Sequence, residues 1–429
     1  MTHGDFRFIN CTTKLSRFPV TTPDLSNVRA PAVQKPHWIR RRRTALVCVA
    51  ILATISGGLL WRRGPRPDAD YRTECRKLSD DSAWGELRLL ASEWSEVSVM
   101  PDEAYLYLAE SQLESGEPLL ALETLLKVPA KSPRSFAALI TACNLQFGDL
   151  NRPLDGVETL KLMIQRKPSS ISSHQRLIFF YAVTLQRNLM LAAIDDAIKA
   201  QAEPPDAYVY LMLSDHLSFT NGFTKNSEWL RSDPDSEVFQ TARIVQLIEN
   251  VEAAESPTAK AALGKYLETF EELLQKFPQN TVLLRFAIER AVVQFDVEKV
   301  GRFVKQLPPG NRDSVLLRQR AWLKFQLDAF DECQELLNQS LSENALDWHT
   351  WHELSVCRRR LGEIDGAKQA SKIALVGKAL RKGLLQMEDA SAITGDTLEQ
   401  FARYAESCGD TRVSSAILTR LHSLGQVPN

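Results

Sequence analysis

Trp351-His352-Glu353-Leu354-Ser355, followed by Gly362-Glu363-Ile364-Asp365-Gly366-Ala367, decides the fold. Large apolar residues three apart fit one face of a helix. A glycine-containing turn follows, and a small residue then opens a second apolar run. The segment therefore predicts two helices joined by a tight turn. Helical periodicity extends outward from it over Tyr71 to Leu424, without alternating strand patterns. The punctuation recurs. Pro133, Pro168 and Pro205 follow apolar runs at spacings of 35 and 37, and Pro278 and Pro309 at 31. A period near thirty-four residues is one helical pair per repeat.

The pattern resembles the tetratricopeptide repeat, W-x2-L-G-x2-Y, a turn, A-x3-F, then P. Trp351 and Leu354 match its start with Ser355 for glycine, and Gly362 and Ala367 match the turn and the small residue. Ser371 and Ala379 replace the expected Phe and Pro. Tyr105, Leu108, Ala109, Gly116, Ala121, Leu125 and Pro133 fit at the family spacing. Leu177, Phe180, Tyr181, Ala193, Ala197 and Pro205 suggest another unit, as do Asp328, Phe330, Cys333 and Leu337. Leu398, Phe401, Ala402, Gly409 and Leu418 suggest the last. Small residues such as Ala121, Ala193 and Ala367 allow the paired helices to approach, and larger ones fill the space between units. The resemblance implies an all-α solenoid of about eight to ten helical hairpins. Residues 219–251 depart from it, and a soft boundary near Pro234 divides the array into 68–234 and 235–429. Residues 379–395 read as a lengthened helix and linker.

A second feature precedes the array. Thr44 to Leu60 are seventeen uncharged residues between Arg40-Arg41-Arg42-Arg43 and Trp61-Arg62-Arg63. As a helix they would span roughly 26 Å, the short end of what crosses a bilayer. Trp38 and Trp61 suit the headgroup zones. Gly57-Gly58-Leu59-Leu60-Trp61 is a poor cleavage site, so residues 40–63 read as one uncleaved transmembrane signal anchor. Residues 1–39 read as a disordered basic tail, interrupted by Pro19, Pro23, Pro31 and Pro36.

Residues 1–43 hold nine Lys or Arg against Asp5 and Asp24, a charge of +7, so the chain's net -1 leaves -8 for residues 62–429. The basic tail suits an anionic membrane surface, and no basic stripe suggests nucleic acid. Within fifteen residues, six cations before the anchor and five after it, with four arginines abutting it, favour a cytoplasmic tail and an extracytoplasmic array. The seven cysteines lack a C-x-x-C pair and read as small buried apolar residues.

No phosphate-binding loop, nucleophile elbow or cofactor motif occurs. His349, His352 and Cys357 share one segment, but H-x-x-H-E is neither H-E-x-x-H nor H-x-x-E-H. His349, His352, Val356 and Arg359 form one stripe at spacings 3, 4 and 3. Ordinary surface, a partner-binding groove and a metal site all account for it. Glu103, Leu106, Glu110 and Leu113 form the corresponding stripe earlier. The resemblance implies that such stripes face a groove. Leu106 and Glu110 stand where the family's chaperone-binding members carry Lys and Asn, so that ligand class is not implied. The expected function is a membrane-anchored, non-catalytic scaffold for a protein or peptide segment. No cofactor or metal is expected, and the bilayer is contacted through residues 44–60. The alternatives are a metal-dependent hydrolase at His349 and His352, or a membrane sensor signalling through the basic tail.

Overall fold

The computed structural model describes residues 66–425 apart from 216, 218, 220, 255–256 and 388–392. The tail and the apolar run at 44–60 lie outside these residues. Among the described residues there are twenty helices and no strand, and no helix is long and apolar enough to cross a membrane.

The helices pair in chain order. The pairs are α1 (Asp68–Asp80) with α2 (Trp84–Val97), α3 (Asp102–Glu114) with α4 (Pro118–Leu126), and α5 (Ser135–Phe147) with α6 (Pro153–Arg166). Next come α7 (Ile171–Val183) with α8 (Arg187–Lys199) and α11 (Glu237–Ala253) with α12 (Pro257–Lys276); between them α9 (Pro205–Met212) packs on α7 and α8, and α10 (Gly222–Trp229) on α11. The last are α13 (Thr281–Val293) with α14 (Val297–Val304), α15 (Ser314–Gln326) with α16 (Phe330–Glu343), α17 (Trp348–Arg360) with α18 (Ile364–Leu384), and α19 (Gly395–Ser407) with α20 (Thr411–Gly425). Nine hairpins thus occupy the described residues.

One backbone device sets the hairpin. In eight of them a single residue with positive φ stands two places before the second helix: Ser82, Gly116, Asn151, Leu185, Phe295, Asp328, Gly362 and Gly409. Only three are glycine, the residue that adopts this conformation without Cβ strain. The left-handed residue ends the first helix and reverses the chain.

This register corrects one part of the sequence frame. In the hairpin of α7 and α8 the left-handed residue is Leu185, so the repeat begins three residues before the frame set by Leu177. His174, not Leu177, takes the place of the leading Trp. It is 1 % exposed and hydrogen-bonds the Pro168 carbonyl through Nε2. Met190, buried completely, takes the place of the small residue. Ala121 and Ala367 are buried where the pattern put them.

Two compact units divide at Ala138 and Leu139, inside α5, so Pro234 falls within the later unit. In the earlier unit Tyr71, Cys75, Leu87, Ala91, Trp94 and Ala104 form a core, with Trp94 stacked on Tyr71. Polar bonds there join each first helix to the next. Arg72 and Arg134 both pair with Glu103, and Ser79 Oγ donates to Glu110.

In the later unit the irregular stretch 219–251 is held by buried amides. Asn226 Nδ2 and Gln246 Nε2 both donate to the Val183 carbonyl at the end of α7. Trp229 and Phe239 close over Phe180. The lengthened helix expected past Ala379 is α18, with 21 residues. Of the described cysteines, Cys75, Cys143, Cys333 and Cys357 are buried and Cys408 is half-buried, all as free thiols.

Candidate functional site

The later unit also carries bonds that leap over several hairpins. Arg187, the first residue of α8, is 2 % exposed. Its Nε donates to the Ser214 carbonyl at 2.6 Å, Nη1 to Asp313 at 2.9 Å and Nη2 to Ser314 Oγ at 2.5 Å. Asp313 is also the N-cap of α15 and accepts from the Val315 and Leu316 amides. Burial alone would raise its pKa, but the charges of Arg187 and Arg285 and these amides hold it below the usual carboxylate range. Asn344 donates to Ser214 Oγ, Tyr404 to the Leu346 carbonyl, and Arg420 to the Glu203 carbonyl.

His349 belongs to this polar interior. Its Nδ1 lies 2.9 Å from Asp215 Oδ2, which also stands 3.5 Å from Arg381 Nη2. Burial would raise the Asp215 pKa, but the His349 bond and the Arg381 charge overcome it and keep the carboxylate ionised. Two guanidinium groups, Arg381 and Arg318, act on this carboxylate. Their charge opposes a metal cation at His349, and no cluster with metal-ligand geometry occurs among the described residues.

Asp347, the N-cap of α17, is held by both Nη1 contacts of Arg318 at 3.0 and 2.9 Å and by the Thr350 hydroxyl at 2.7 Å. Arg318 also faces Glu353 across 3.9 Å. The Glu353 side chain keeps 34 % of its surface open, yet its carboxyl is crowded by protein. That crowding pushes its carboxyl up to about 7, with Arg318 pulling the other way.

The C-terminal stripe is thus split. His349 is engaged by Asp215. His352 and Arg359 are exposed and Val356 is half-buried. Arg359 reaches only Ser355 of its own helix. Burial lowers the His352 pKa, and the charges of His349, Arg359 and Lys378 lower it further, so a cationic patch surrounds this ring. In the other unit Glu103 is buried between Arg72 and Arg134, and Glu110 accepts from Ser79. Leu106 and Leu113 are half-buried. Nothing in the repeat pattern marks Arg187, Asp215 or Arg381, because their partners lie 126, 134 and 166 residues away and outside any repeat frame, whereas Arg318 reaches Asp347 29 residues on, at the start of the next hairpin. A lone buried Arg at a helix start has no local signature.

A cleft of about 560 Å³ lies where α8, the loop before α17 and the start of α20 meet. Leu191, Ile194, Leu346 and Val413 line it, and the paired charges Asp195–Arg412 and Arg312–Glu343 stand at its rim.

No described protein family matches the sequence, and no curated protein matches it. Solved structures that the fold is similar to include a tetratricopeptide repeat protein from Parabacteroides merdae, at 10 % identity and TM-score 0.28, covering 60 % of this chain and 98 % of that one. Yeast Tom70 matches at 10 % and 0.28, over 84 % of this chain and 92 % of its own. Cut9–Hcn1, an APC/C hetero-tetramer, matches at 13 % and 0.31, over 79 % and 66 %. Likeness at this level extends to the repeated helical hairpin and no further. The left-handed turn repeated at one register and the buried small residues make the described chain an all-α array of repeated helical hairpins.

Proposed function

We propose that the chain is a membrane-anchored scaffold that holds an acidic, apolar-anchored segment of a protein partner on α17. The observation that carries this reading is the open part of the stripe: His352 and Arg359 exposed, Val356 between them, and Lys378 beside them. Such a face combines apolar contact with charges that select the partner more than they add affinity. Asp215 on His349 is an internal example of a carboxylate on this helix. The earlier stripe, Glu103, Leu106, Glu110 and Leu113, serves less directly, since Glu103 is already paired twice.

Anchoring rests on Thr44 to Leu60 and its arginine flanks. The full chain should resist carbonate extraction, with the array on the extracytoplasmic side. The binding test uses the full chain in its native membrane with a photo-cross-linker in place of Val356. One partner adduct is expected, lost when His352→Glu and Arg359→Glu are added while melting is unchanged. An adduct indifferent to both substitutions would overturn the assignment.

A further inference from the structure

Three exposed apolar side chains of the earlier unit lie together, while Leu89, 74 % exposed, stands apart on α2. Val97, Val99 and Met100 are 52 %, 97 % and 66 % exposed within four residues between α2 and α3. Two bonds fix where this loop points. Trp94 Nε1 donates to Asp68 Oδ1 at 2.9 Å, and Ser98 Oγ donates to Asp68 Oδ2 at 3.0 Å. Asp68 is the first residue of α1. The loop therefore sits at the edge where the chain enters the array. The entering chain is itself held there, because Arg66 lies 4.9 Å over the Tyr71 ring and pairs with Glu74.

The following inter-hairpin loop joins the same edge. Ser132 Oγ donates to Asp102 at 2.5 Å, which brings residues 127–134 beside the start of α3. Leu126 is 50 % exposed next to it, and Lys127 and Lys131 are exposed. Arg66, Lys127 and Lys131 stand exposed against Asp68, Asp70 and Glu96, so charge on this edge is close to balanced.

From Leu60 to Asp68 only residues 61–67 intervene, a reach of at most about 25 Å. We infer that this edge, led by Val97, Val99 and Met100, docks into the headgroup layer of the bilayer that holds residues 44–60. The inference rests on the anchoring reading. Apolar side chains beside a short tether enter the interface because the tether keeps them at high local concentration. The near-balance of charge makes the contact indifferent to salt and to lipid charge. Docking would orient the first hairpin against the membrane, with α1 and α2 end-on to it.

The test uses the full chain in phosphatidylcholine vesicles. Flotation reads anchoring, and amide hydrogen exchange reads residues 97–101. Exchange there should be slowed at least tenfold relative to a Val99→Asp, Met100→Asp chain after correction for intrinsic rates, in low and high salt alike, with both chains floating. A chain that does not float overturns anchoring and docking together. A floating chain whose residues 97–101 exchange as freely as the double variant's overturns docking alone. Equal slowing in a lipid-free amphipathic polymer would assign the loop to a protein contact and also overturn it.

Discussion

The two compact units solve the same packing problem differently. In residues 66–138 each polar bond between hairpins reaches the next repeat: Arg72 to Glu103, Glu103 to Arg134, Ser79 to Glu110, Asp102 to Ser132. That is the nearest-neighbour regime of a solenoid, in which a lost contact is felt locally. In residues 139–425 α8 reaches α15 and α20 through Arg187–Asp313 and Asp195–Arg412, and the segment after α9 reaches α17 through Asp215–His349. Stability there is shared among distant repeats. A repeat fold therefore does not by itself tell which contacts are independent.

The strongest way to break this contrast is Arg187→Ala. It leaves Asp313 buried without its main partner, and removing one member of a buried pair costs about 3–5 kcal/mol. Denaturant unfolding should show that loss in one cooperative transition covering the later unit. Glu103→Gln in the earlier unit should leave the transition nearly where it was, because both its arginines are about half exposed. A small effect of Arg187→Ala would place the later unit in the nearest-neighbour regime too.

Packing between paired helices offers a test in both units. A Cβ on Gly377 would overlap Tyr404 Oη and stand 2.7 Å from Trp348 Cβ. Gly377→Ala should cost about 1–3 kcal/mol and loosen the Tyr404 bond to Leu346. Ala121→Leu overpacks the second hairpin by a similar amount. Thermal melts that leave either variant unchanged would refute the interlocked packing of that hairpin.

How much of this was legible in the sequence depended on range. Trp351, Leu354, Ala367 and Ala121 announce the hairpin because their partners lie within one repeat. The same local logic misplaced the frame at Leu177, since Met190 can fill the small-residue position once neighbouring side chains make room. The glycine turns at 116, 362 and 409 were readable. Leu185 and Phe295 were not, because a bulky residue at positive φ has no compositional signature. The stripe of His349 and His352 was visible as a stripe, but Asp215 lies 134 residues away. That carboxylate decides which of the two histidines is open.

The interior of the later unit has a pH signature that the earlier one lacks. Glu353 binds its proton up to about 7 in the fold, against 4.5 for an ordinary glutamate. The folded state thus holds more protons than the unfolded one in that window, and stability falls as pH rises from about 4.5 to 7. His352 has the opposite sign, since its folded pKa is lowered and the unfolded chain takes the proton below about 6.5. Glu353→Gln should remove the downward slope, leave the rise from His352, and raise the melting temperature at pH 8 relative to the parent. An unaltered melting profile between pH 5 and 8 would show that Arg318 already offsets the burial of Glu353.

The smallest effect is expected at Phe295, where the later unit places an aromatic residue on a turn that the earlier unit makes with Gly116. Its φ is +56°, its side chain is 74 % exposed, and its ring centre lies 6.2 Å from that of Trp322. Phe295→Gly removes Cβ strain of about 1–2 kcal/mol. It also frees the unfolded chain at a cost of about 0.4–1 kcal/mol and loses an aromatic contact of about 0.5–1.5 kcal/mol. These nearly cancel, so the melting temperature should move little in either direction. Gly116→Ala has no such compensation, because nothing lies within 4 Å of the added Cβ to reward it, and it should destabilise by about 1 kcal/mol. If Phe295→Gly proves clearly destabilising, the ring is a structural member joining the hairpin of α13 and α14 to α15. If it is neutral, stability does not account for a strained, exposed phenylalanine two residues from Val293, itself 75 % exposed, and this turn edge becomes the next surface to probe by cross-linking.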